Sequence, residues 1–60
     1  MIFYVAKGFN SWNNKDLTRA FRSLAEAEGF INGLTDGKIY RHKTKDAVEA
    51  INLAFKLTGD

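Results

Sequence analysis

Aromatic and basic side chains are interleaved in two stretches of the sequence, residues 4–22 and residues 38–43. Aromatic rings can stack on bases or sugars, and lysine and arginine neutralise phosphates. Trp12 strengthens this pattern because it lies among turn-forming asparagines, where a large exposed ring is unusual. We therefore expect a nucleic-acid-binding site formed by Tyr4, Lys7, Trp12, Arg22, Lys38, Tyr40, Arg41 and Lys43.

Residues suited to catalysis are scarce. The chain has one histidine, His42, and its cationic neighbours disfavour a bound metal ion. No serine or threonine lies beside a base in a recognisable nucleophile motif. Glu26 and Glu28 are two residues apart on a predicted helix and so point in different directions. The sequence predicts no enzyme, no catalytic residue, no metal site and no cofactor.

Length and composition limit the class of protein. Sixty residues make one domain, 1–60, which buries only about 60% of the surface that its unfolded chain exposes. The absence of cysteine excludes disulfides and thiolate metal sites. No apolar run approaches a membrane span, and no charged-then-apolar leader begins the sequence. We expect a soluble, cytoplasmic protein.

Charge is segregated along the chain although the formal net charge is only +2. Residues 1–22 and 38–45 are net positive, whereas residues 23–37 and 46–60 are net negative. The positive blocks coincide with predicted strands and the negative blocks with predicted helices. We therefore expect a molecule with a basic sheet on one side and acidic helices on the other.

The clearest predicted element is a helix after Ser23. Ser23 and Glu26 have the spacing of a capping box. An apolar stripe at helical spacing follows, and Asn32 and Gly33 are residues that tolerate the left-handed conformation at a helix end. The stripe consists of Leu24, Ala27, Phe30, Ile31 and Leu34.

The segments before this helix predict a hairpin. Residues 2–9 have high β propensity and are apolar on both alternating faces, and Gly8 marks a bulge or a close backbone approach. Residues 10–14 have turn chemistry. Residues 17–22 fit either a second strand or a backward extension of the helix; the strand is favoured because Ser23 indicates a helix start.

A turn at residues 35–37 precedes a strand at residues 38–43 and a second helix. Thr44 is the expected cap of that helix and Gly59 its expected stop. Its inward stripe is Ala47, Ile51, Ala54 and Phe55, and Val48, Leu53 and Leu57 widen the apolar sector. We expect the core to contain Leu24, Phe30, Ile31, Ile51 and Phe55.

Part of the sequence resembles a known family. The segments Phe3-Tyr4-Val5-Ala6-Lys7-Gly8, Ser11-Trp12 and Ala20-Phe21-Arg22-Ser23-Leu24 are similar in order to landmarks of the viroplasmin-type, N-terminal hybrid-binding domain of ribonucleases H. The resemblance covers residues 3–31 and lacks that family's Gly-Arg-x-x-Gly element and the cysteine after the tryptophan. It implies binding of RNA–DNA hybrid or double-stranded RNA, with Tyr4 and Trp12 as aromatic contacts and Arg22 as a phosphate contact.

Together these features predict an α+β domain of order ββαβα, with two helices on one face of a small sheet and βαβα as the alternative. The expected function is non-catalytic binding of RNA–DNA hybrid or double-stranded nucleic acid. The alternative is a small protein-binding inhibitor or accessory factor of the phage type, acting on a host protein. The broad apolar sector of the last helix also predicts a homodimer or a partner-binding face.

Overall fold

The computed structural model describes residues 1–59 and has the order ββαβα of an α+β fold. Its elements are β1 (Ile2–Asn10), β2 (Lys15–Phe21), α1 (Leu24–Ile31), β3 (Thr35–Lys43) and α2 (Ala47–Thr58). The strand interpretation of residues 17–22 is confirmed, because β2 pairs with β1 before the helix begins. None of the helices described within residues 1–59 is long and apolar enough to cross a membrane.

The central strand is β1, which pairs antiparallel with β2 on one side and with β3 on the other. Adjacent residues of a strand point to opposite faces of the sheet. Val5 is 3% exposed and its neighbour Ala6 is fully buried, so both faces of β1 are covered. The apolar residues on both alternating faces of this strand thus correspond to burial on both sides.

One face of the sheet is covered by α2. Phe3 and Val5 form the buried cluster with Ala50 of this helix, and Ala20 and Ala54 pack against the cluster. Ala20 lies directly opposite Val5 in the pairing of β1 with β2, so it shares that face. We call this side the α2 face.

The other face is covered by α1. Phe30 of α1 lies 5.3 Å, between ring centroids, from Phe21, which is paired with Tyr4. Leu34, just beyond α1, fills the space above Gly8, where an added Cβ would lie 2.7 Å from it. The two helices therefore lie on opposite faces, not on one face as we expected, and the sheet is the middle of three layers.

Capping residues explain the helix boundaries. The Ser23 hydroxyl accepts a hydrogen bond from the Glu26 amide at 3.2 Å, as predicted. Thr44 was the wrong cap for α2: Asp46 accepts from the Glu49 amide at 2.9 Å, while the Thr44 hydroxyl bonds to the Met1 carbonyl. Gly59 ends α2 in the left-handed conformation, as expected, with φ of 81°.

Two expected turn conformations differ from the structure. Asn32 ends α1 in a right-handed conformation, with φ of −59°. The predicted turn at 35–37 lies inside β3, and Asp36 adopts a positive φ of 54° where the register with β1 shifts between Lys7 and Phe9. The irregularity expected near Gly8 is confirmed at that shift.

The core is built from different residues than the predicted ones, and most of them have smaller side chains. Its buried apolar members are Phe3, Val5, Ala6, Ala27 and Ala50. The prediction of a largely buried core was wrong for Leu24, Ile51 and Phe55, which are exposed, and Phe30 and Ile31 are only half-buried. The physical reason is that each face carries a single helix, which leaves the flanks of both helices exposed in the described part of the chain.

Candidate nucleic-acid interface

The tip of the β1–β2 hairpin holds an aromatic ring in solvent. Trp12 is 95% exposed, and its backbone amide donates to the Asn10 side-chain oxygen at 2.9 Å. Asn14 adopts a positive φ of 57°, a conformation that asparagine tolerates better than most residues. Local turn chemistry therefore fixes the backbone of this tip, and the indole contributes little burial to the fold.

The central strand β1 and its neighbour β3 bring two lysines together. Lys7 of β1 lies directly opposite Lys38 of β3, and both side chains are exposed. Tyr40 follows two residues after Lys38 and shares its face, since it pairs with Val5. This face is the α2 face, but α2 lies over β1 and β2 and does not extend across β3. Lys38 and Tyr40 are therefore accessible beside the helix.

We call Lys7, Phe9, Trp12, Lys38 and Tyr40 the hairpin-end surface. All of them except Trp12 line one open depression of about 620 Å³ at the end of the sheet where the hairpin turns. The depression is also lined by Asp16 and Asp36. These two carboxylates offset the two lysines, so the depression has no formal net charge.

The remaining predicted site residues lie elsewhere. Tyr4 is paired with Arg41 and Ile2 with Lys43, which places both basic residues on the face that α1 covers. Arg22 follows β2 and lines a cavity at the start of α2, roughly 13 Å along the strand from the level of Lys7. The single basic sheet side that we expected is therefore divided between two faces and two ends.

The basic side chains are accessible to a ligand. None of the hydrogen bonds described within residues 1–59 uses a lysine or arginine side chain. Arg19 has an aromatic partner, with its guanidinium carbon 5.8 Å from the centroid of Phe30. Lys7, Lys38, Arg41 and Lys43 are all exposed.

His42 has a structural environment. Its ring stacks on Phe3 across the β1–β3 pair, with centroids 5.3 Å apart and an interplanar angle of 21°. It is half-buried against the core cluster and does not line the depression of the hairpin-end surface. Among residues 1–59, no three histidine, aspartate or glutamate residues are grouped so that they could hold a metal ion.

Sequence reasoning missed an apolar groove beside α2. Two adjoining cavities of about 290 and 340 Å³ run between α2 and β2, and both are lined by Ala20, Ile51 and Ala54. We call this feature the α2 groove. The wide apolar sector of the last helix indicates such a groove in the sequence, but the prediction attributes that width to Val48, Leu53 and Leu57. The structure exposes Val48, Ile51 and Phe55 most strongly and half-buries Leu53.

The comparisons with known proteins found no family model, no curated protein and no solved structure that matches this chain.

Proposed function

We propose that this protein is a non-catalytic nucleic-acid-binding module that contacts RNA–DNA hybrid or double-stranded nucleic acid through the hairpin-end surface. The observation that supports this proposal most is the exposure of Trp12 at the tip of the hairpin whose first strand carries Lys7, the partner of Lys38. Trp12 stacks on an accessible base, at a duplex end or an unpaired position, and the lysines contact the adjoining phosphates.

Two features of this surface are unfavourable for the isolated fold. Like charges directly opposite each other on antiparallel strands destabilise a sheet by roughly 0.2–1 kcal/mol. A tryptophan held in solvent gains little of the burial free energy that its ring can supply. Both features become favourable when a polyanion with exposed base faces is bound.

The test is an anisotropy titration of fluorescein-labelled RNA–DNA hybrid, duplex and single-stranded oligonucleotides at several salt concentrations. With at most two lysines neutralising phosphates, the slope of log affinity against log salt should be no steeper than about −1.8 for a duplex. Trp12→Ala should weaken binding about 5- to 150-fold, because stacking contributes about 1–3 kcal/mol per base, and leave the slope unchanged.

Matched variants test whether nucleic acid contacts this surface or another part of the chain. Lys38→Ala should weaken binding and flatten the salt slope by about 0.9. Arg41→Ala, at the position next to Tyr40 in β3 but on the face that α1 covers, should change affinity less. Equal losses in the two variants would contradict the hairpin-end surface as the contact, and no binding by the folded wild-type protein at low salt would contradict the function.

A second candidate function is supported by a different observation. Val48 is 68% exposed, and Ile51 and Phe55 are each 56% exposed on α2. Contiguous exposed apolar side chains of this kind are typical of protein-binding surfaces. An accessory factor or inhibitor that targets a host protein would use this stripe, and its binding would be insensitive to Trp12→Ala.

A further inference from the structure

Within residues 1–59, the outer edge of β2 pairs with no other strand, and it lies beside the α2 groove. In the sheet order β2-β1-β3, both β2 and β3 are edge strands. The β3 edge carries Lys38, Arg41 and Lys43 and has an irregular register, features that discourage pairing between edges. β2 pairs with β1 without a register shift. β2 is therefore the edge suited to receive another strand.

We infer that a second copy of this chain occupies this edge and the α2 groove. In the dimer, the two β2 strands pair antiparallel about a twofold axis, which joins two three-stranded sheets into one of six strands. A twofold interface uses the same patch on both copies, and an antiparallel edge pair satisfies this condition.

The position of α2 argues for a copy of this chain over another occupant. α2 lies over β1 and β2, and neighbouring strands are about 4.8 Å apart. Pairing the two β2 edges places the two α2 axes about two strand spacings, or roughly 10 Å, apart, which is the usual distance between packed helices. The partner's helix then covers Ile51 and Phe55, which the single chain leaves 56% exposed.

The sequence of β2 is compatible with pairing to itself. A twofold axis at Thr18, the middle residue of Lys15–Phe21, aligns the strands over their whole length. Thr18 then faces the partner subunit's Thr18, and no two like charges are directly opposite. Asp16 lies diagonal to the partner subunit's Arg22 on the α2 face, within reach of an ion pair. Thr18 and Phe55 line the same cavity, so the axis also brings the two phenylalanines together.

Sedimentation equilibrium of the full chain tests the dimer. Wild type should sediment as a dimer at tens of micromolar, and the double variant with Ile51→Glu and Phe55→Glu as a monomer with an unchanged circular dichroism spectrum. Leu24→Glu is the matched control, since it adds a carboxylate to an exposed apolar position on α1, and it should remain dimeric. A monomeric wild type, including one that binds a different protein, would overturn the inference, as would a double variant that stays dimeric.

Cross-linking tests the strand pairing. The chain has no cysteine, so a single substitution gives one reactive position. Thr18→Cys should cross-link to a covalent dimer with an oxidant or a short bis-maleimide, whereas Lys43→Cys, on the other edge strand, should not. A dimer in which Thr18→Cys fails to cross-link, or in which Lys43→Cys cross-links equally well, contradicts the β2 interface. Asp16 and Thr18 of this interface also line the depression of the hairpin-end surface, so nucleic-acid binding is measured separately on wild type and on the double variant.

Discussion

Replacing Lys38 by threonine should stabilise the protein and weaken its binding of nucleic acid. Lys38 lies directly opposite Lys7, and both are exposed. Two unit charges about 7 Å apart in water repel each other by about 0.6 kcal/mol. Most of this repulsion remains at 10 mM salt, where the Debye length is about 30 Å, and little remains at 1 M, where it is about 3 Å.

The assay is urea unfolding at 10 mM and at 1 M sodium chloride. Lys38→Thr should raise the free energy of unfolding by about 0.5 kcal/mol at low salt, equivalent to roughly 2–4 °C in Tm for a domain of this size. Threonine also has the higher β propensity, so a control must remove that contribution. Lys43→Thr makes the same substitution on the same strand, opposite the uncharged Ile2.

The difference between the two variants isolates the charge repulsion. Lys38→Thr should exceed Lys43→Thr in stability at 10 mM salt and match it at 1 M. In the same preparations, Lys38→Thr should reduce the salt slope of nucleic-acid binding by about 0.9. Equal stabilities at low salt, or a Lys38→Thr variant that binds as tightly as wild type, would refute the reasoning.

Three further predictions concern the fold. Ser23→Ala should lower the free energy of unfolding by roughly 1 kcal/mol through loss of the helix cap, as measured by urea unfolding; a neutral result would mean that the cap contributes nothing. Gly8→Ala should destabilise by about 1–3 kcal/mol because the new methyl group meets Leu34, whereas Gly29→Ala, in open space on α1, should stabilise by about 0.5–1 kcal/mol. Val5→Ala should cost at least about 1 kcal/mol in thermal melts, and an unchanged melt would contradict its place in the core.

Local sequence signals predicted the order of elements. The Ser23 capping box ended the hairpin and selected the strand interpretation of residues 17–22, because the competing helix would have placed Ser23 in its interior. Asp46 and Glu49 have the same three-residue spacing and mark the start of α2, so the prediction of Thr44 as the cap is wrong by two residues. The starts of both helices are therefore determined by contacts between residues that are no more than four positions apart.

The placement of the two helices on opposite faces of the sheet could also be predicted from the sequence of β1. Consecutive apolar residues such as Val5 and Ala6 are typical of a strand buried on both faces. The expectation of a one-sided sheet relied instead on the alternation of basic and acidic segments, which describes exposed side chains and carries little information about the core. The wrong prediction that Ile51 and Phe55 are buried has the same cause. Because each helix packs alone on its face of the sheet, these side chains stay exposed.

The pairing of Lys7 with Lys38 was not available from local patterns. These residues are far apart in sequence, and hairpin rules connect β1 to β2 but do not say which strand β3 will join. Strand order β2-β1-β3 and its register decide which cations meet. A shift of one residue would have exchanged the faces of Lys38 and Arg41. The sequence therefore indicates candidate binding residues but does not show to which of the two surfaces each residue belongs.

The fluorescence of Trp12 tests nucleic-acid binding most directly, because it is the only tryptophan in the chain and is 95% exposed. Titration with RNA–DNA hybrid, duplex or single-stranded oligonucleotide at 10 mM salt should quench its emission with a saturable dependence on concentration. Added salt should partly reverse the quenching, and Lys38→Thr should shift the midpoint to higher concentration. An unchanged emission spectrum from folded protein with all three nucleic acids would contradict the proposed function.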